Sequence, residues 1–193
     1  MDIGTIDASI IQESTRSNLK EATGGSEMDR EGSFWKFSLE FYSDPTVARI
    51  CIDLQDRHSS DVNILLFVLW CASRHRRLSP LELEGVVASV AGWQNEVVRP
   101  LRGVRRNLKQ LALDLALEPI VDLREAVKKQ ELEAERLQQS LMEAKFGEIG
   151  SPASDRAATA SSNAELYATL AGQVFPTTHV MALVARLQAI RPN

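Results

Sequence analysis

Asp61-Val62-Asn63-Ile64-Leu65-Leu66-Phe67-Val68-Leu69-Trp70-Cys71-Ala72-Ser73 is the stretch on which the reading of the fold turns. Val62, Leu65, Leu66, Leu69 and Trp70 line one side of a helix, and Ile64, Phe67 and Val68 cover the other. A helix that is apolar all round sits inside a fold or inside a membrane. The near-continuous apolar run, Ile64 to Ala72, is about half of the roughly 20 residues needed to span a bilayer. We therefore read residues 61–73 as a buried central helix with other helices packed around it. Asp61 or Ser60 caps its start. Arg74, His75, Arg76 and Arg77 close it, where the helix macrodipole favours cations.

Upstream, Phe34, Phe37 and Phe41 form one helical stripe, with Trp35, Leu39 and Tyr42 beside it. Aromatic stripes at this spacing are core. Ser43-Asp44-Pro45 ends that helix and starts another, with Asp44 as cap and Pro45 in the first helical position. Val47, Cys51 and Leu54 carry the next helix to a stop near Arg57-His58-Ser59-Ser60. Downstream, Ser79-Pro80-Leu81-Glu82 has the form of a capping box. Leu83, Val86, Val87, Val90 and Val97 follow at helical spacing until Arg99-Pro100, where a break or kink is expected. A helix from about Pro100 to Leu117 places Leu101, Val104, Leu108 and Leu111 on one side. Arg99, Arg102, Arg105, Arg106 and Lys109 lie within about 120° on the other.

Glu118-Pro119 marks another break. One long helix then runs from Ile120 to Phe146, with Leu123, Val127, Gln130, Ala134, Leu137, Leu141 and Ala144 in a 4-3 seam. This helix is expected to pack antiparallel within the same bundle, with a coiled coil to a partner as the alternative. Residues 148–162 are small and polar and read as a flexible linker. Within residues 163–193, Ser162 with Glu165 caps a short helix, and Pro176-Thr177-Thr178 starts a last one bearing Val180, Leu183, Val184, Leu187 and Ile190. Residues 1–30, rich in Ser, Thr, Gly and acids, read as a disordered leader. The expected architecture is all-α: a bundle over residues 31–147, with a linker-tethered helical tail. Its core is built on Phe34, Phe37, Phe41, Leu54, Leu66, Leu69, Trp70, Val86, Val90 and Leu101.

The segment from Phe34 to about Leu108 resembles a bacterial, mainly proteobacterial, family known only as a domain of unknown function. The features that carry the likeness are Phe34-Trp35-Lys36-Phe37-Ser38-Leu39, Tyr42-Ser43-Asp44-Pro45-Thr46-Val47, Cys51-Ile52-Asp53-Leu54-Gln55-Asp56 and the run from Asp61 to Trp70. Trp93 and Pro100-Leu101-Arg102 complete it. The family pattern has glycine after the Leu-Gln-Asp piece and after the first proline, where this chain has Ser59-Ser60 and Thr46. The resemblance implies an all-helical domain and supplies no activity, substrate or cofactor.

Composition bounds the function. The 193 residues carry 22 Lys and Arg against 26 Asp and Glu, a net charge of −4, and 44% are hydrophobic. A dedicated nucleic-acid binder normally carries a basic excess. Two cysteines make neither a disulfide framework nor a four-cysteine zinc site. Neither a Gly-x-Ser-x-Gly elbow nor a phosphate-binding glycine loop is present. The start, Met1 to Asp7, lacks the charged and apolar regions of a secretory signal, and a cytoplasmic location is expected.

Two clusters remain as candidate sites. Asp56, Asp61 and Asn63 bring hard oxygen ligands to one helix–helix turn and form a candidate cation site. Capping and turn bonding also account for them. Arg99, Arg102, Arg105 and Arg106 form a basic helix face for RNA, DNA or an acidic partner. The stretch Arg74 to Lys109 holds eight bases and three acids, whereas Asp114 to Glu148 holds nine acids and five bases. Basic and acidic helices therefore also suit each other inside the bundle. We expect no catalytic residue, resident metal or cofactor. The leading expectation is a non-catalytic interaction module with an unidentified protein partner. A nucleic-acid-associated regulator using the arginine face is the alternative, and a small metal-dependent enzyme or metal sensor a further one.

Overall fold

A computed structural model describes residues 32–115 and 117–190. The leader expected over residues 1–30 lies outside the described residues. The architecture is all-α. The chain forms α1 (Ser33–Tyr42), α2 (Pro45–His58), α3 (Val62–Ser73), α4 (Pro80–Trp93), α5 (Arg99–Leu115), α6 (Glu118–Phe146), α7 (Arg156–Leu170) and α8 (Thr177–Ala189). Two-residue strands β1 (Arg76–Arg77) and β2 (Ser151–Pro152) pair antiparallel, Arg76 opposite Pro152.

The local signals act where the sequence places them. The Asp44 carboxylate accepts from the Thr46 amide, and that of Asp61 from the Asn63 amide. Ser79 and Glu82 form the reciprocal capping box. Ser59 sits in the left-handed region at φ 51°, the conformation that glycine adopts without a steric penalty.

Every residue of α3 from Val62 to Ala72 is buried. Phe34 of α1 meets Phe67 edge-on, with ring centroids 5.4 Å apart, and Trp70 at 5.2 Å. Such pairs add about 0.5–1.5 kcal/mol to the burial of their area. Cys51 and Cys71 lie free in this core, and burial pushes both thiols up to about 12. Of the expected core residues, Leu101 alone is only half-buried.

Two expectations are corrected, and a third is decided between its alternatives. Of the break or kink expected at Arg99-Pro100, the break does not occur. A proline ring clashes with the carbonyl four residues back and has no N–H to donate. A π-helical segment over Gln94–Val98 relieves this, with the Arg99 amide donating to the Gln94 carbonyl, and the backbone runs on into α5.

Residues 148–162 are not a free linker. Ser151–Pro152 joins β1, and Asp155, rather than Ser162, caps α7 by accepting from the amides of Ala157 and Ala158. The small residues that give this stretch a linker composition are good helix formers with little bulk. They let α7 lie close against α3, with Ala160 and Ala164 fully buried.

The tail is not merely tethered. Leu183 and Leu187 of α8 are fully buried in the same core cluster, and Tyr167 and Phe175 belong to it. The Tyr167 hydroxyl accepts from the Asp61 amide at 2.7 Å and donates to the Asp61 carbonyl at 3.2 Å. Asn163 is wholly buried. Its amide donates to the carbonyls of Val68 and Arg76, and its oxygen accepts from the Leu78 amide.

Candidate functional site

α5 and α6 pack side by side as a helical hairpin. Its interior is charged. Arg102 and Arg105 are 9% and 4% exposed, and Glu131 and Glu135 are 4% and 2% exposed. Arg102 Nε donates to Glu131 at 2.9 Å and its Nη2 to Glu135 at 2.6 Å, while Arg105 Nε donates to Glu131 at 2.5 Å. The order of these pairs along the chain shows that the helices run antiparallel. This is the pairing of basic and acidic helices that the charge asymmetry allowed.

The polar interior continues toward α3. Gln138 donates to the Asp61 carboxylate at 2.8 Å and accepts from the Asn63 amide group at 3.0 Å. Gln139 donates to Asn63 and accepts from the Ser38 hydroxyl, both at 2.8 Å. Asp61, Glu131 and Glu135 thus share the interior with two arginines. Burial pushes Glu135 up to about 7. The neighbouring Glu131 and Asp61 carboxylates add to that rise, and Arg102 opposes it. Burial raises Asp61 as well, against its hydrogen bonds from Gln138 and Asn63. Three carboxylates facing two guanidiniums leave one charge unmatched, which is why burial favours a retained proton here.

The structure separates the candidate cation ligands. Asp56 accepts from Arg106 at 2.7 Å on the half-exposed rim. Both carboxylate oxygens of Asp61 are engaged, by Asn63 and by Gln138. Among the described residues, no group of three or more His, Cys, Asp or Glu is placed to hold a metal ion. The four arginines are likewise divided. Arg102 and Arg105 point inward, Arg106 meets Asp56, and Arg99 donates to Asn95 at 2.9 Å.

What lies outside is the leucine side. On that side of α5, Val104 is 47% exposed, Leu111 45% and Leu115 54%, while Leu113, which the helical period puts on the arginine side, is 70% exposed near the helix end; before α6 Leu117 is 53%, and on α6 Val121 is 42% and Leu123 53%. The seam expected on α6 is mostly exposed too, since Leu137 and Leu141 face solvent while Ala134 is buried. The buried face of α6 holds Glu131, Glu135, Gln138, Gln139 and Met142 instead.

Packing the leucine stripe of α5 inward would have buried these carboxylates without partners. A single unpaired buried charge costs several kcal/mol. A half-exposed leucine forfeits only about 1 kcal/mol, part of the roughly 1.5–3 kcal/mol of full burial. Charge pairing therefore decides which way α5 faces. The sequence reading places Leu101 in the core and leaves the arginine face to an outside partner, to solvent or to pairing with the acidic helix; the structure shows the pairing, with Leu101 half-buried. The charge asymmetry of the two stretches carries that pairing in the sequence, and the structure assigns it to Glu131 and Glu135.

Six exposed Leu and Val residues between Leu111 and Leu123 form an apolar end to the hairpin. Single exposed leucines are ordinary, and several at one end of a hairpin offer apolar contact area. Among the described residues, no helix is long and apolar enough to cross a membrane. No curated protein and no solved structure matches this chain. A family model does match, over residues 33–142, from the start of α1 through the hairpin to the buried Met142. The chain belongs to that family, which is described as a protein of unknown function (DUF2390).

Proposed function

We propose that this chain is a non-catalytic protein–protein interaction module, an adaptor or regulator, that docks through the end of its α5–α6 hairpin. The observation that carries this reading is the run of exposed Leu111, Leu113, Leu115, Leu117, Val121 and Leu123 on an anchored helical hairpin. The arginine face offers less to nucleic acid, since two of its four cations are neutralised inside the protein. The acids of the Asp56–Asp61 turn are occupied by protein donors, which leaves the metal reading without support of its own.

The test is an affinity capture from native lysate with the tagged full-length chain, with and without nuclease, beside the double substitution Leu113→Ser/Leu117→Ser. A stoichiometric protein that survives nuclease and is lost in the variant is expected. Equal capture by the variant would move the contact elsewhere on the molecule. Recovery of nucleic acid in place of protein would favour the arginine face.

A further inference from the structure

Leu101, Val104 and Leu108 of α5 each stand 18 residues, about five full turns, after the buried Leu83, Val86 and Val90 of α4. A straight α-helix would carry them on along the line that α4 packs inward. The π-helical segment Gln94–Val98 takes an extra residue into a turn and rotates α5 by up to about 100°. Arg102 and Arg105 then take the inner line, and the apolar stripe is left beside it.

Spacing and charge pairing fix where that stripe points. With roughly 3.6 residues per turn, Leu101, Val104, Leu108, Leu111 and Leu115 centre about 100° behind Arg102 and Arg105 around α5. On α6, the seam of Leu123, Val127, Gln130, Ala134, Leu137 and Leu141 centres about 100° behind Glu131 and Glu135. The arginines and glutamates face each other, and the helices run antiparallel. A twofold axis perpendicular to both helices relates such a pair, so equal rotations in the same sense bring both stripes to one side of the hairpin. Arg106, two residues from Val104, points the opposite way, to Asp56 of α2. Val104, Leu111, Leu115, Leu123, Leu137 and Leu141 are accordingly between 39% and 54% exposed.

The flanking charges lie off this face. Lys109 stands two turns from Arg102, and Arg124 two turns from Glu131, so both turn toward the inside of the hairpin and are half-buried. Glu133, at the outer edge of the seam, is paired with Arg136. The two stripes themselves hold no charged residue, and Gln130 is their one polar side chain.

Charge, area and period choose the occupant. A twofold contact sets the same patch against itself, and a patch without charge meets no repulsion there. The stripes expose on the order of 700 Å², close to the roughly 800 Å² per partner of a stable interface. Their 3-4 spacing is that of helices packed in a left-handed bundle. A single partner helix would lie between the stripes and cover only their facing edges, whereas a second hairpin supplies a helix for each. A lipid surface selects elements with Lys, Arg and aromatic residues, and the stripes have none.

We propose that the chain forms a twofold dimer in which this face of the α5–α6 hairpin packs on the same face of a second copy, making a four-helix bundle. The dimer goes beyond the docking reading. It covers Leu111, Leu115 and Leu123, and leaves Leu113 and Val121, which turn to the other side of the charged line, open to a partner protein. Gln130 enters the new core as a polar residue that sets register at a cost in affinity.

The experiment is sedimentation equilibrium of the full-length chain over about 1–100 µM, the range in which the weaker interfaces of this size associate. A monomer–dimer equilibrium is expected. Leu111→Glu/Leu137→Glu should sediment as a monomer throughout, with its helical circular dichroism retained. Gln130→Leu should tighten the dimer at least about tenfold. Leu113→Ser/Leu117→Ser should leave it as it was.

A monomer at every concentration, a dimer that survives Leu111→Glu/Leu137→Glu, or one that Leu113→Ser/Leu117→Ser dissolves would overturn the inference. If the glutamates unfold the chain, the milder Gln130→Leu decides, and a dimer no tighter for it places the interface elsewhere. A monomeric chain that still captures a protein through Leu113 and Leu117 would leave the docking reading standing and refute the dimer. A dimer that captures no protein does the reverse.

Discussion

In α3, eleven consecutive residues from Val62 to Ala72 are buried, and Asn63 is the one amide among them. In α5, whose leucines are spaced as regularly, the buried side chains are Arg102 and Arg105. The difference lies in what each helix meets. α3 packs against the aromatic face of α1, against α2 and against the alanine face of α7, so apolar burial satisfies it on most sides, and it meets α6 through the hydrogen-bonded Asn63. α5 meets α6, and α6 brings Glu131 and Glu135 to the contact. Hydrophobic burial is non-directional and moderate per side chain, whereas a stranded buried charge is severe. Where the two compete, the charge sets the orientation and the leucines go outside.

The largest effect expected from this contrast follows truncation after Gly150. Removing α7 and α8 strips Ala160, Ala164, Tyr167, Leu183 and Leu187 from the core around α3. The shortened chain should lose its cooperative thermal transition in calorimetry. A truncated chain that melts cooperatively near the parent midpoint would show that α3 has a sufficient core without them.

Next in size is Glu131→Ala, which leaves Arg105 and one arm of Arg102 without a carboxylate and should cost about 3–5 kcal/mol in urea unfolding. Replacing the four charges together, Arg102→Met, Arg105→Leu, Glu131→Met and Glu135→Leu, should be neutral or stabilising by about 1–4 kcal/mol. If the fourfold variant is as damaged as the single one, the charged interior contributes net stability, and the contrast with α3 is weaker than drawn.

A smaller effect depends on pH. The folded chain holds on Glu135, up to about pH 7, a proton that the unfolded chain releases near the ordinary value of 4.5. Stability should therefore fall as pH rises from about 4.5 to about 7 and level off above, because the folded state binds the extra proton in that window. Glu135→Gln, which keeps an acceptor for Arg102, should flatten that slope. An unchanged slope would place the proton elsewhere, and Asp61 is the next group to test.

The smallest effect on stability is expected at the exposed end of the hairpin. Leu113→Ser/Leu117→Ser should shift unfolding by no more than about 0.5 kcal/mol, because surface substitutions remove little packing. A loss of several kcal/mol would mean that these leucines are covered within the protein itself, and the apolar patch would not be free to dock anything.

The C-terminal region shows why composition misleads. Gly147 to Ser162 has the small, polar make-up of a linker, yet α7 starts at Arg156 and carries Asn163 and Tyr167 into the core. Low bulk reads as flexibility in a sequence and acts as close packing once α3 lies alongside. The N-terminus of α1 gives a second case. It has no local cap. The Glu143 carboxylate of α6 accepts from the Ser33 amide at 2.9 Å and from the Phe34 amide at 3.2 Å. Nothing near Ser33 in the chain announces a cap 110 residues away.

The sequence by itself determined the all-α class and most helix boundaries. Caps, prolines and helical periodicity act within a few residues and need no distant partner. It also determined that α3 is central, because a helix apolar on all sides has only one place to go in water. Tertiary structure alone decided which way α5 faces, that Arg102 and Arg105 are interior, and that the C-terminal helices complete the core. It also left the leucines of Leu111 to Leu123 uncovered. Those outcomes depend on which charges and volumes meet across the fold, and an amphipathic helix records that it has two faces without recording which one its neighbour will take.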